Sequence, residues 1–297
     1  MITTKLTGNL GNHISYYVST RAIAEKLGYD WGFNPTPSYD YFNGARQMDF
    51  MEIDYGKFPE NISNSFHEKE VRFNHMGDNV DIRPEDWNVF TIQDNTEMFG
   101  VFQSPVYFYD RLNDIKNWLK IKKEVVAETN DIASHNNIVL DDNTCLINFR
   151  GGEYKNYGNL IIRPEYYYKA IQCMLEVNSN MKFVIITDDV QCANQFLPGI
   201  PAYHFSIAVD YTFINHSKYL ILCNSSFPIF ATLTNNNLKK VIAPAYWARW
   251  NISTGYWSTS QNIYPGWEYL DINSVLKNYE DSQKDCQNWL LNNGYGA

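Results

Sequence analysis

No segment of this chain approaches the roughly 20 consecutive apolar residues that a membrane helix needs, and its opening residues, M-I-T-T-K-L-T-G, lack the apolar core of a signal peptide. A membrane span is therefore not expected, and a cytoplasmic location is. Positive charge is scarce: 24 Lys and Arg stand against 33 Asp and Glu, a formal net charge of -9. Sequence-independent nucleic-acid binding needs a basic footprint, so no nucleic acid is expected as a partner and a small molecule is. Cysteine is limited to Cys145, Cys173, Cys192, Cys223 and Cys286, odd in number and without a C-x-x-C pair; these read as buried free thiols. The six histidines, His13, His67, His75, His135, His204 and His216, show no metal-ligand spacing, so no metal site is expected. A G-x-S-x-G elbow is absent. The loop Gly8 to Asn12 reads G-x-x-G where a dinucleotide fingerprint needs G-x-G-x-x-G, which argues against NAD. Sequons begin at Asn61, Asn215, Asn224 and Asn251, and in an Asn-rich chain without a secretory signal they carry no weight.

What is present is length, aromatic mass and alternation. The 297 residues suit two domains of ordinary size, and 22 Tyr, 17 Phe and 8 Trp supply rings for cores and for stacking on sugars or bases. The second half alternates by its apolar periodicity: strand Thr144 to Phe149, helix Pro164 to Val177 with Tyr167, Ile171, Met174 and Leu175 on one face, strand Lys182 to Thr187 and helix Val190 to Phe196. Strand Ala202 to Ser206, helix Tyr211 to Tyr219, strand Leu220 to Cys223, helix Phe227 to Thr234 and strand Lys240 to Ala243 follow. That order implies an α/β fold with a parallel, Rossmann-like sheet. The first half opens with strand Ile2 to Leu6, the turn Gly8 to Asn12 and a helix from His13 to Leu27; Tyr29 to Asp94 is turn-rich, and Pro105 to His135 reads as helical. With Ser134 to Asn143 as linker, the expected domains are 1–138 and 139–270, with 271–297 carrying a helix near Val275 to Leu291 that could return to the first domain.

One arginine stands out. The run Cys145-Leu146-Ile147 and the pair Gly151-Gly152 put Arg150 at the carboxyl end of a strand, where open α/β sheets bind ligands and a guanidinium offers a planar fork to a phosphate or carboxylate; a surface arginine in a glycine turn accounts for the same letters. Asn224-Ser225-Ser226 gather hydroxyls and amides between a strand and a helix, which suits a diphosphate or a plain serine cap. Asp210 opens its own helix, where a cap is the default reading. Asp188-Asp189 could hold Mg²⁺, but lack D-x-D spacing, and a carboxylate opening the next helix explains at least one of them. The Gly8 to Asn12 turn is a phosphate or sugar neighbour or an ordinary strand-to-helix turn.

Six segments, in order, resemble the α-1,2-fucosyltransferases of glycosyltransferase family 11 and, more distantly, the GT-B-fold α-1,6- and protein O-fucosyltransferases. K-L-T-G-N-L-G-N-H looks like the family's G-G-L-G-N-Q; G-V-F-Q-S-P-V-Y-F from Gly100 looks like G-Y-x-Q-S-x-x-Y-F; I-N-F-R-G-G-E-Y looks like H-x-R-R-G-D-Y. R-P-E-Y-Y-Y-K-A-I, F-V-I-I-T-D-D-V and the stretch Asp210 to Phe227 resemble the segments that follow, so the likeness spans most of residues 1 to 245. It implies a GT-B-like fold, two Rossmann-like domains facing across a cleft, with a GDP-sugar held mainly by the C-terminal one. It also implies an inverting transfer that needs no metal or other cofactor, most simply of fucose from GDP-fucose to a hydroxyl of a glycan acceptor. By position, Arg150 and Asn148 would bind the donor diphosphate, Asp210 the guanine, Ser225 and Ser226 the phosphates beside Asn224, and Asn12 would lie near the donor sugar. Glu153 is a candidate acceptor for the proton of the attacking hydroxyl, although pairing with a neighbouring basic group suits it equally. The sequence departs from the pattern at Asn148 (histidine in the family), Gly151 (the second arginine), Glu153 (aspartate) and His13 (glutamine), and P-I-F follows Phe227 instead of S-W-W. Those departures keep two alternatives open, a transferase of another nucleotide sugar and a non-catalytic nucleotide- or sugar-binding protein.

Overall fold

The computed structural model describes residues 1–33, 47–75, 78–82, 84–158, 160–245, 262–271 and 273–292; the sequon at Asn251 lies outside them. The chain forms two compact units, Met1–Phe73 with Asp81–Lys122, and Asn74–Val80 with Lys123–Ala297.

In the first unit, β1 (Ile2–Thr4) leads through the Gly8 turn, at φ 78°, into α1 (Leu10–Leu27). The helix begins three residues before the expected His13, because the amides of Asn12 and His13 already donate to the Asn9 carbonyl at 2.9 and 3.1 Å. It ends where Gly28, at φ 74°, takes the left-handed cap conformation that glycine adopts without a Cβ clash. Next come β2 (Asn64–His67), the paired strands β3 (Val71–His75) and β4 (Asp78–Ile82), and β5 (Thr96–Phe99). Strands β1, β5 and β2 form a parallel sheet in that order, so their carboxyl ends share one edge. The helix expected over Pro105 to His135 is broken. Two 3-10 turns precede α2 (Leu112–Trp118), and α3 (Lys123–His135) starts afresh. Between the two helices the backbone pairs elsewhere, Lys122 N–H donating to Phe50 and Glu52 N–H to Lys120 at 3.0 and 2.8 Å.

In the second unit, α3 packs on a later helix, and the chain runs β6 (Thr144–Phe149), α4 (Pro164–Val177), β7 (Lys182–Thr187), α5 (Val190–Phe196), β8 (Ala202–Tyr203), α6 (Ile207–His216), β9 (Tyr219–Ile221), α7 (Phe227–Leu233), β10 (Lys240–Pro244), β11 (Glu268–Leu270), β12 (Leu276–Lys277) and α8 (Tyr279–Asn292). The sheet order is β8-β7-β6-β9-β10-β11-β12, parallel except for the β11–β12 pair. Counted from β6, the six parallel strands follow the doubly wound order 3-2-1-4-5-6. The α/β class read from the sequence is what the chain adopts.

All six residues of β6 are buried, as befits a central strand covered on both faces. The buried stripe of α4 is Tyr166, Tyr167, Ala170, Cys173 and Met174. It is rotated from the expected face, leaving Leu175 exposed, because Tyr166 turns inward and its hydroxyl donates to the Leu222 carbonyl at 2.7 Å. Helix α8 packs against β11 within this unit, and all five cysteines are free and buried. No helix among the described residues is long and apolar enough to cross a membrane.

Candidate active site at the switch point of the second sheet

In an order 3-2-1-4-5-6, successive connections leave in opposite directions from the first and fourth strands, and the crevice beyond their carboxyl ends is the ligand position. Here those strands are β6 and β9. Asn148, Phe149 and Arg150 leave the first, and Cys223, Asn224 and Ser225 leave the second. The two ends touch: the Cys223 thiol donates to Asn148 Oδ1 at 3.0 Å, with both side chains buried. Burial pushes that thiol's pKa up to about 12, so it stays protonated and serves as a donor. Asn148, where the resemblance implied histidine, is thus a buried amide bonded across the switch point.

Arg150 sits at the mouth of this crevice, and its guanidinium is held by carboxylates. Nη1 meets Asp188 Oδ2 at 2.6 Å, Nη2 meets Glu153 Oε1 at 3.3 Å, and the group lies 5.5 Å from the centre of the Tyr154 ring. Its Nε is buried with no hydrogen-bond partner among the described residues. Asp188 is fixed a second time, accepting from Gly151 N–H at 2.9 Å. The glycine pair allows this approach. A Cβ on Gly152 would collide with the Asp188 carboxylate, and one on Gly151 would stand 2.9 Å from the β-carbons of Asp189 and Cys192. No side chain, and so no second arginine, fits at Gly151 on this backbone.

Asp188-Asp189 divide their roles. Asp189 caps α5, accepting from Cys192 N–H at 2.9 Å, and pairs with Lys155 at 2.6 Å; this is the cap read from the sequence. Asp188 faces Arg150 instead, a partnership the sequence did not reveal. Among the described residues no group of three His, Cys, Asp or Glu side chains could hold a metal ion.

Asp210 does not cap its helix. Ser206 does, accepting from Val209 N–H at 3.3 Å, so α6 starts four residues before the expected Tyr211. The Asp210 carboxylate, 4% exposed, accepts from Phe205 N–H at 3.1 Å and lies 2.7 Å from His204 Nδ1. Burial, opposed by His204, pushes its pKa up to about 6. His204 follows the end of β8, six residues before Asp210, a local spacing that metal-ligand patterns of histidine do not include.

Asn224 is buried and donates to the Leu160 carbonyl at 2.8 Å, fixing the loop before α4. Ser225 Oγ accepts from Phe227 N–H at 3.2 Å, and Ser226 occupies the cap position of α7 without a side-chain cap bond. Beneath them a cavity of about 20 Å³, room for about one water, is walled chiefly by Leu222, Pro228, Ile229, Tyr264 and Trp267. Asn12 belongs to the first unit, where its Oδ1 accepts from Gln103 Nε2 at 3.1 Å. That bond joins the G-N-L-G-N turn after β1 to the G-V-F-Q-S segment after β5, two of the six motif segments, at one sheet edge.

Fold and site together define a doubly wound α/β unit with an arginine at its switch point. No protein-family model and no curated protein matches the chain. Solved structures similar to it are fucosyltransferases. NodZ α-1,6-fucosyltransferase co-crystallised with GDP is 13% identical, with 82% of this chain and 93% of that chain covered and a TM-score of 0.47. The fucosyltransferase NodZ from Bradyrhizobium is 11% identical over 81% and 94%, with a TM-score of 0.46. POFUT1 in complex with GDP-fucose is 10% identical over 81% and 94%, with a TM-score of 0.44.

Proposed function

We propose that the chain is an inverting, metal-independent glycosyltransferase of fucosyltransferase type, moving fucose from GDP-fucose to a glycan hydroxyl. The observation that carries the reading is Arg150 at the switch point of the 3-2-1-4-5-6 sheet, in a motif that resembles the family's diphosphate-binding segment. The acceptor oxygen attacks the anomeric carbon from the face opposite the diphosphate. The bond from that carbon to the phosphate oxygen breaks, the leaving diphosphate keeps the electron pair, and the configuration inverts. Arg150 neutralises the charge that develops there, and preorganised donors aimed at developing charge are commonly the largest catalytic contribution. On the same resemblance Ser225, Ser226 and Asn224 would line the phosphate side and Asp210 would receive the guanine, with Glu153 the candidate acceptor of the hydroxyl proton.

Two observations favour a different donor or a binding protein as the second reading: the second arginine has no room at Gly151, and two carboxylates flank Arg150. A donor panel separates the readings. GDP-fucose, GDP-mannose and UDP-glucose are incubated with acceptor sugars and no added metal, and the product's anomeric configuration is read by NMR. Inverted transfer from GDP-fucose, lost in Arg150→Ala, supports the first reading. Transfer from another donor moves the assignment to that sugar, and retained GDP binding without any turnover leaves a binding protein.

A further inference from the structure

The guanidinium of Arg150 has two edges that can take a bidentate oxyanion, Nε with Nη2 and Nη1 with Nη2. Asp188 takes Nη1 at 2.6 Å and is anchored again by Gly151 N–H. Nη2, shared by both edges, reaches Glu153 at the longer 3.3 Å, and Nε is buried with no partner among the described residues. Glu153 is 51% exposed against 25% for Asp188, and among the described residues its carboxylate hydrogen-bonds nothing else. The three side chains sum to a net charge of about -1, which opposes an incoming diphosphate while both carboxylates stay in place.

We propose that Glu153 is an exchangeable stand-in for a phosphate oxygen: a diphosphate-bearing ligand displaces it from Nη2 of Arg150, while Asp188 remains and positions the guanidinium. This rests on the reading of Arg150 as the diphosphate-binding group. The exchange keeps the cation paired throughout, and it sets ligand affinity by competition between a tethered carboxylate and a free anion.

The test is calorimetric titration of the full chain with inorganic pyrophosphate and, separately, with GDP. Parent, Glu153→Gln and Glu176→Gln are compared; Glu176 is exposed in the last turn of α4 and serves as a control for net charge. Glu153→Gln is expected to bind both ligands at least fivefold more tightly, with Glu176→Gln unchanged. Equal affinity of parent and Glu153→Gln, equal gains in both variants, or no pyrophosphate binding even in Glu153→Gln overturns the exchange. If pyrophosphate follows the expected pattern and GDP does not bind, the exchange stands and the guanine-nucleotide reading fails.

Discussion

Gly152 is where a single methyl group bears most directly on the site. Its missing Cβ is the space that the Asp188 carboxylate occupies beside Arg150, so Gly152→Ala must push either the loop or the carboxylate away. Overpacking of this kind costs about 1 to 3 kcal/mol, and the freed guanidinium loses its fixed orientation. Urea unfolding of the alanine variant is expected to show that loss together with weakened anion binding; unchanged stability would mean the approach is loose. Asp210 offers a test in pH. Its pKa of about 6, raised from 3.8 first by burial, lies above the unfolded value, so its contribution to stability is fully present below about pH 4 and is lost as pH rises through 6. The Tm of Asp210→Asn, compared with the parent at each pH, should therefore climb relative to it between pH 4 and pH 7. A pH-independent difference would contradict the burial argument.

At the scale of elements, the end of β9 is tied to α4 by one hydroxyl. Tyr166, fully buried, donates its one hydroxyl proton to the Leu222 carbonyl at 2.7 Å, with the Ile242 carbonyl also near at 3.3 Å. Tyr166→Phe removes the donor and is expected to cost about 0.5 to 1.5 kcal/mol in unfolding free energy, with no comparable loss from Tyr168→Phe, whose hydroxyl is exposed. A neutral Tyr166→Phe would dissociate this bond from stability. The strands of the second sheet were legible because each is an apolar run ended by a turn residue: Cys145 to Phe149 before Gly151, and Phe183 to Thr187 before Asp188. The start of α6 was not. Tyr203 and Phe205 read as strand and hid the Ser206 cap between them and the helix. Arg150 was legible for the same reason as its strand, whereas its partner Asp188 stands 37 residues beyond Gly151 and meets it only because β6 and β7 are parallel neighbours. Pairings across a sheet leave no local periodicity to read.

Across the whole molecule, motif segments far apart in sequence converge within each unit. Asn12 and Gln103 meet in the first, although 91 residues separate them, and Asn148 meets Cys223 in the second across 75. Local propensity alone does not require such meetings; parallel strands whose carboxyl ends share one edge do. The chain's net charge of -9 makes affinity for a diphosphate informative, since nonspecific attraction of an anion is not available. The most direct measurement of the central claim is calorimetric titration of the full chain with GDP and with UDP, without added metal, repeated on Arg150→Ala. Binding of GDP in preference to UDP, weakened at least tenfold in Arg150→Ala, is the expected result. GDP binding of equal strength in parent and variant would contradict the placement of the diphosphate on Arg150.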